Sequence, residues 1–203
     1  MKKLIKNNKL LYNICMLLYN VFGEIYFKLF MYLFRIFKVK NNKIVVSNYF
    51  GKGYSDNAKY VCDEMLSQNL DVDIVWLCKN KNDSSIPKKI RIVKYNSIKG
   101  LYELATAKIW IDNCRKSYHM IKRRNQIYIQ LWHGGIGMKK VEQLAEKSLD
   151  HTYIKNAKND SKMMDYAISN SLYRTKIYKE SFWYSGEVLE LGCPRNDVFF
   201  FYF

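Results

Sequence analysis

Apolar residues follow two different spacings along this chain, and the change between them divides the sequence into two regions. Residues 10–37 form one almost continuously apolar stretch, LLYNICMLLYNVFGEIYFKLFMYLFRIF. From residue 43 onward, short β-branched runs alternate with stretches in which apolar residues recur every three or four positions. The first pattern is typical of one long helix, and the second predicts alternating strands and helices.

The few polar residues of the first region fall on one line. Their successive separations of seven, four, four and seven residues place them in one narrow stripe of a helix, at about 100° per residue. The remaining circumference is apolar, so we expect an amphipathic helix with its polar stripe toward water. The stripe consists of Asn13, Asn20, Glu24, Lys28 and Arg35.

The charge of this helical region favours a membrane surface. Residues 1–40 hold eight lysines and arginines against one acid. We therefore predict peripheral or monotopic attachment to the cytoplasmic face of the cell membrane, through its anionic surface. Packing against the globular domain and a tilted transmembrane span are the alternatives. A signal peptide fits poorly, because no small-residue cleavage site follows the apolar stretch.

The second region, residues 43–197, is predicted to be a Rossmann-like α/β domain. Apolar strands separated by helices imply a doubly wound parallel sheet covered on both faces. Ser97 is expected to cap one of the helices. Strands are predicted over 43–50, 72–78, 90–96, 109–113, 126–132 and 165–171, with helices after residue 55, after residue 97, near 138–162 and from 171.

Composition narrows the class of partner. The 203 residues carry a net charge of +16, which predicts attraction to nucleic acid, anionic lipid or a phosphate-bearing substrate. Nucleic acid is disfavoured, because the charge is concentrated beside the amphipathic helix and no recognition motif is present. Five scattered cysteines suit a reducing compartment, and no metal-ligand spacing or cofactor requirement is visible.

The predicted strand ends collect polar and cationic residues. In a doubly wound domain, ligands bind beyond the carboxyl ends of the strands, so these residues are candidates for substrate binding. Each also has a structural interpretation as a helix cap, a core aromatic residue or an ion-pair partner. The candidates are Ser55, Asp56, Asn57, Asp112, Asn113, Trp132, His133, Gly134, Gly135, Lys139, Lys140, Arg195, Asn196 and Asp197.

Four segments resemble the CDP-glycerol glycerophosphotransferase family of teichoic acid and capsule synthesis. In chain order they are YSDNAKYVCDEML, LATAKIWIDN, YIQLWHGGIGMKKVE and FWYSGEVLELGCPRND. The resemblance spans roughly residues 43–197. It departs from the family at Ala58, where proline is frequent, and at Leu131, where threonine is common.

The resemblance implies the first half of a two-domain GT-B architecture and a phosphotransferase reaction. A hydroxyl of a lipid-linked acceptor would attack the β-phosphorus of CDP-glycerol and release CMP. The family's Trp-His-Gly histidine corresponds to His133, the implied general base, since an imidazole can accept a proton at neutral pH. Lys139, Lys140 and Arg195 are candidates, by their charge, for stabilising the phosphoryl oxygens.

The sequence after residue 197 departs from the family. Residues 198–203, VFFFYF, have no helical period and are expected to be an aberrant apolar tail where a donor-binding half would follow. We therefore expect a truncated chain with weak or no transferase activity. The alternative is a non-catalytic membrane-bound remnant or subunit that binds the acceptor polymer or a partner. An oligomer is compatible with the sequence.

Overall fold

The computed structural model describes residues 9–117, 119–134 and 140–201, with side chains for residues 21–117, 119–134 and 140–200. Seven strands alternate with helices along the chain. The strands are β1 Lys40–Ser47, β2 Asp73–Cys78, β3 Arg91–Lys94, β4 Ala107–Asp112, β5 Ile127–Gln130, β6 Tyr166–Ser169 and β7 Glu187–Glu190. The α-helices are α1 Lys9–Leu33, α2 Asp56–Ser67, α3 Ile98–Thr106, α4 His151–Met163, α5 Leu172–Ser181 and α6 Val198–Phe201.

All seven strands pair in parallel, in the order β3-β2-β1-β4-β5-β6-β7. Alternate side chains enter two separate cores, because successive residues of a strand point to opposite faces. Val45 and Trp110 belong to the core beneath α1 and α3, whereas Val46 and Trp76 belong to the core beneath α2. Both faces of the sheet are therefore covered, and the predicted Rossmann-like α/β fold is confirmed.

Several element boundaries differ from the prediction. Ser97 caps α3 as expected, accepting a hydrogen bond from the Gly100 amide at 3.0 Å. The helix predicted near 138–162 divides into a 3-10 helix, Glu142–Ser148, and α4, because Asp150 caps α4 by accepting from the amides of Thr152 and Tyr153. Strand β7 was not predicted. Residues Val198–Phe201 form one helical turn, α6, although the sequence there has no helical period.

Helix α1 has two apolar faces rather than one. Its inner face, which includes Phe27, Phe30 and the fully buried Met31, packs on the core of the sheet. Glu24 and Lys28 form an ion pair on the border between the two faces. The opposite face is exposed, and we call it the outer stripe. It consists of Phe22, Ile25, Leu29, Tyr32 and Ile36, of which Ile36 belongs to the 3-10 turn Phe34–Ile36 that follows α1.

The two readings of this helix therefore apply to different faces. The inner face packs against the globular domain, as one of the alternatives predicted. The outer stripe is exposed, and its attachment to a membrane surface stays a prediction. Within the described part of the chain, no helix combines the length and the apolarity needed to cross a bilayer. The side chains of Asn13 and Asn20 lie outside the described residues.

Candidate active site

The order of the strands locates the candidate site. The chain passes from β1 outward to β3 and then returns to place β4 on the other side of β1. At such a switch point the loops that leave neighbouring strands diverge and open a crevice at the carboxyl ends. The loops after β1, β4 and β5 meet there, and they carry Asp56, Asn113 and His133.

Backbone strain is concentrated in these loops. Four non-glycine residues in these loops have φ between 41° and 59°, the left-handed region that residues other than glycine rarely adopt. They are Tyr49, Phe50, Asp56 and Trp132. Gly51 has φ of +82°, and a Cβ atom there would lie 2.8 Å from Cβ of Tyr95. Strained residues cluster at functional sites, where the surrounding structure fixes them.

His133 has a defined ring orientation. Its Nδ1 lies 2.6 Å from the carbonyl oxygen of Asn113. Because a carbonyl can only accept a hydrogen bond, Nδ1 carries the proton and Nε2 of the neutral ring keeps a lone pair. The Trp132 ring stacks on the imidazole at a centroid distance of 4.7 Å, and the Tyr49 ring contacts it edge-on at 5.3 Å. In its neutral form the imidazole is therefore oriented with Nε2 as the proton acceptor.

A buried carboxylate fixes the carbonyl that orients His133. Asp112 Oδ1 accepts hydrogen bonds from the amides of Asn113, at 2.8 Å, and Cys114, at 3.0 Å. Lys116 Nζ donates to Asp112 Oδ2 at 2.6 Å, and Ser47 donates to the same oxygen. A buried ion pair needs such additional hydrogen bonds to offset the free-energy cost of removing its charges from water. Asp112 thus holds the turn that aims the Asn113 carbonyl at His133.

A second set of bonds, around Asn57, joins the segments after β1 and β5 to the Pro-Arg-Asn-Asp segment after β7. Its Nδ2 donates to the Trp132 carbonyl at 3.0 Å, and its Oδ1 accepts from the Arg195 amide at 3.2 Å. The Arg195 guanidinium donates to Asp56 at 2.7 Å and to the His133 carbonyl at 3.0 Å. Asp56 raises the pKa of Arg195 through this hydrogen bond, against the opposing effect of burial. The Pro-Arg-Asn-Asp segment is therefore joined to the histidine loop.

Arg115 supports the site from below. Its guanidinium lies 5.6 Å from the centre of the Trp132 ring and pairs with Glu142 at 3.0 Å and Asp160 at 3.1 Å. Burial raises the pKa of Asp160 to about 6, with the Arg115 charge opposing the rise. Burial likewise raises the pKa of Cys114 to about 12, so this neighbour of His133 is a neutral thiol at pH 7.

The predicted site residues that the structure describes separate into those around His133 and those exposed at the surface. Asp56, Asn57, Asp112, Asn113, Trp132, Gly134 and Arg195 surround His133, and Ser55 stands beside them, accepting a hydrogen bond from Asn48. Asp112 and Asn113 are buried and bonded to protein groups, so their predicted contact with substrate stays a prediction. Lys140, Asn196 and Asp197 are exposed at the surface. Gly135 and Lys139 lie outside the described residues.

Three residues of the site were not predicted from the sequence. Tyr49 contacts the His133 ring, Arg115 lies under Trp132, and Arg174 of α5 donates to the Gly134 carbonyl. Gly134 and Arg174 are 40 residues apart in the sequence, and no local sequence pattern predicts a contact across that separation. Tyr49, next to a strand end, could have been found by the rule that located His133. Among the described residues, no group of three histidine, cysteine or acidic side chains could hold a metal ion.

The fold and the site define a class of protein: a Rossmann-like α/β domain of the GT-B type, with a histidine at its switch point. Residues 29–201 match the family described as CDP-Glycerol:Poly(glycerophosphate) glycerophosphotransferase. The chain belongs to this family, as the resemblance implied.

Curated relatives and solved structures agree with this assignment. The chain is 33% identical over 165 residues to the teichoic acid poly(glycerol phosphate) polymerase of Staphylococcus epidermidis, covering 79% of this chain and 23% of the polymerase. It is 29% identical over 181 residues to the teichoic acid poly(glycerol phosphate) polymerase of Bacillus spizizenii, covering 84% of this chain and 46% of that protein.

A structure of the wall teichoic acid polymerase TagF after a 30 minute soak with CDPG has a TM-score of 0.73 at 29% identity, covering 84% of this chain and 45% of that one. A TagF variant has a TM-score of 0.69 at 32% identity, covering 79% of this chain and 40% of that one. The chain thus spans about a quarter to a half of the relatives it matches.

Proposed function

We propose that this chain supplies the base-bearing half of an enzyme that transfers glycerol phosphate from CDP-glycerol to a lipid-linked polyol-phosphate acceptor. An acceptor hydroxyl gives its proton to Nε2 of His133 and forms a new bond from its oxygen to the β-phosphorus. The bond from that phosphorus to the oxygen of CMP breaks, and CMP leaves with the electron pair. Synthesis of a teichoic acid-type polymer is the corresponding biological role.

The observation that carries this proposal is the hydrogen bond from His133 Nδ1 to the Asn113 carbonyl. It leaves Nε2 as the proton acceptor in the ring, which is what a general base for a hydroxyl requires. The bonds of Asp112 to the same turn keep that orientation without help from a substrate. The soak of TagF with CDPG, which we take as CDP-glycerol, supports the choice of donor.

We propose further that most donor contacts come from a second half beyond these residues. The cleft between Gly134 and Arg174 has a volume of only about 30 Å³, which is far smaller than a nucleotide needs. Arg195 donates to the His133 carbonyl, but its guanidinium is also engaged by Asp56. The 203 residues alone should therefore give little or no turnover.

Attachment to the cytoplasmic face of the membrane is part of the same proposal. The outer stripe exposes five large apolar side chains along α1 and the turn after it, with Phe22 66% and Ile36 75% exposed. Arg35 and Lys38 adjoin the end of the stripe, and the sequence before residue 10 adds four lysines. An apolar helical face flanked by cations suits the surface of an anionic bilayer.

The test measures CMP release from CDP-glycerol with a lipid-linked acceptor. It compares the chain alone with a chimera in which residues 43–197 replace the matching segment of the Staphylococcus epidermidis polymerase. We expect release by the chimera and little by the chain alone. His133→Ala should lower release by the chimera at least about 100-fold, because general base catalysis contributes that much.

His151→Ala is the matched control, since His151 is an exposed histidine on α4 outside the site, and it should leave release unchanged. An active chimera that is indifferent to His133→Ala would contradict the role of His133. Robust release by the chain alone would contradict the need for a second half.

A further inference from the structure

A large cavity lies between α1 and the carboxyl edge of the sheet. Its volume is about 1040 Å³, which is at the upper end of the range for small-molecule sites. One wall comes from α1, one from the loops after β1, β2, β3 and β4, and one from the start of α4. None of the lining residues takes part in a step of the proposed transfer, although Arg115 also supports the candidate active site.

The wall formed by α1 is aromatic. Phe22, Tyr26 and Phe27 line it, and Phe50 and Tyr95 stand across from them on the sheet side. Aromatic rings offer large apolar surfaces with little entropy to lose, so such a wall favours a flat or extended apolar group. An isolated phosphate or a bare sugar would leave most of this surface in contact with water.

Cationic and polar groups line the sheet side of the same cavity. Lys79 follows β2 and is exposed, whereas Arg115 is 4% exposed and pairs with Glu142 and Asp160 through its two terminal nitrogens. Three nitrogens of a guanidinium can donate, and Nε of Arg115 has no hydrogen-bond partner among the described residues. A buried donor without a partner is costly, and an anionic oxygen in the cavity would satisfy it.

The cavity connects the two regions that the proposed function needs. On the inner side, Phe50 adjoins Tyr49, whose ring lies 5.3 Å from that of His133, and Arg115 lies under Trp132. On the outer side, Phe22 lines the cavity and also begins the outer stripe. A ligand in the cavity can therefore extend from a bilayer surface to the neighbourhood of the candidate base.

We infer that this cavity binds the membrane-proximal end of an amphiphilic acceptor, with its apolar chain along the α1 wall and its anionic head group at Lys79 and Arg115. The inference rests on the proposed function, because it gives that reaction's lipid-linked substrate a place to bind. The aromatic wall, the cations at one end and the opening beside the outer stripe together favour an amphiphile over a soluble anion.

The experiment titrates the purified 203-residue chain with dodecyl phosphate below its micelle concentration, by isothermal titration calorimetry. We expect saturable binding of one molecule per chain. Inorganic phosphate, which has the head without the chain, and dodecyltrimethylammonium, which has the chain with the opposite charge, should each bind at least tenfold more weakly.

Two pairs of variants locate the binding. Thr152→Trp fills the cavity from an exposed position at the start of α4 and should weaken binding at least tenfold, whereas Gln143→Trp adds the same ring outside the cavity and should not. Lys79→Ala should weaken binding several-fold, whereas Lys81→Ala removes an equal charge from the same loop without effect.

Three outcomes would overturn the inference. They are equal binding by both tryptophan variants, equal effects of the two lysine variants, and inorganic phosphate that binds as tightly as the amphiphile. The titration contains no CDP-glycerol and measures no turnover. Failure of the transferase proposal would therefore appear as absent CMP release from the chimera while dodecyl phosphate still binds at this cavity.

Discussion

The loops around His133 and the outer stripe of α1 differ in whether their side chains find partners within the chain. Around His133, Asp112, Asn57 and Arg195 are bonded to neighbouring loops, so the arrangement is complete within the chain. Along the outer stripe, large apolar side chains such as Leu29 are exposed to solvent. The first region is held by bonds within the chain, whereas the second exposes apolar side chains that the described residues do not cover.

The largest expected effect comes from disrupting the support beneath the site. Arg115→Met leaves Asp160 and Glu142 buried without their cation, so the free energy of unfolding should fall by about 3–5 kcal/mol. Chemical denaturation monitored by circular dichroism measures this loss. Arg124→Met, at an exposed arginine, should change stability by less than about 0.5 kcal/mol. Equal stability of the two variants would mean that the site is not held by this network.

Substituting a residue of the outer stripe should weaken membrane binding and leave the stability of the fold almost unchanged. Leu29→Ser should leave stability within about 0.5 kcal/mol, because Leu29 is 57% exposed. Its binding to vesicles that contain anionic lipid should fall about tenfold, as expected for the loss of one buried leucine. Sedimentation with vesicles measures this. Leu172→Ser, at an exposed leucine on α5, is the control and should bind like the unmodified chain. A stripe variant that unfolds, or that binds vesicles normally, contradicts the comparison.

The smallest effect concerns an ion pair remote from both regions. Two hydrogen bonds from Arg91, each 2.7 Å, lower the pKa of Asp73 against the opposing effect of burial. A lowered carboxyl pKa stabilises the fold above the ordinary value near 4, and the contribution disappears as the pH falls through the lowered pKa.

Relative to Asp73→Asn, the unmodified chain should therefore be more stable by about 0.5 kcal/mol at pH 7, and this advantage should disappear as the pH falls through the lowered pKa of Asp73. Thermal unfolding at a series of pH values measures it, with Asp71→Asn as an exposed control. An advantage that grows on acidification would reverse the sign and refute the assignment.

The sequence predicted what depends on local pattern and on family motifs. The strand periodicity predicted the sheet, and the Trp-His-Gly motif predicted His133. Strand β7 was missed because Glu187–Glu190 is short, has a charged residue at each end, and lies at the edge of the sheet. The division of α1 into inner and outer faces was not visible, because both faces are apolar and only contact with the sheet distinguishes Phe30 from Leu29.

The contacts that assemble the site were also beyond prediction. Asn57 looked like a helix cap, yet its side chain joins the Trp132 carbonyl, 75 residues further along the chain, to the Arg195 amide, 138 residues further along. Asp112 could be predicted either to contact substrate or to turn the chain; it is buried and holds the turn before Cys114, and its contact with substrate stays a prediction. Residue type and strand position locate such groups near the crevice, but only the fold determines whether they face a ligand or another loop.

The central claim is that this chain alone holds His133 as a proton acceptor, and the tautomer of its imidazole tests that claim most directly. Nitrogen-15 NMR of the histidine-labelled chain near pH 8, with His133→Ala to assign the signal, distinguishes a protonated Nδ1 from a protonated Nε2. The account predicts that the proton is on Nδ1, bonded to the Asn113 carbonyl, and that Nε2 is unprotonated. A proton on Nε2, or rapid exchange between the two tautomers, would contradict it.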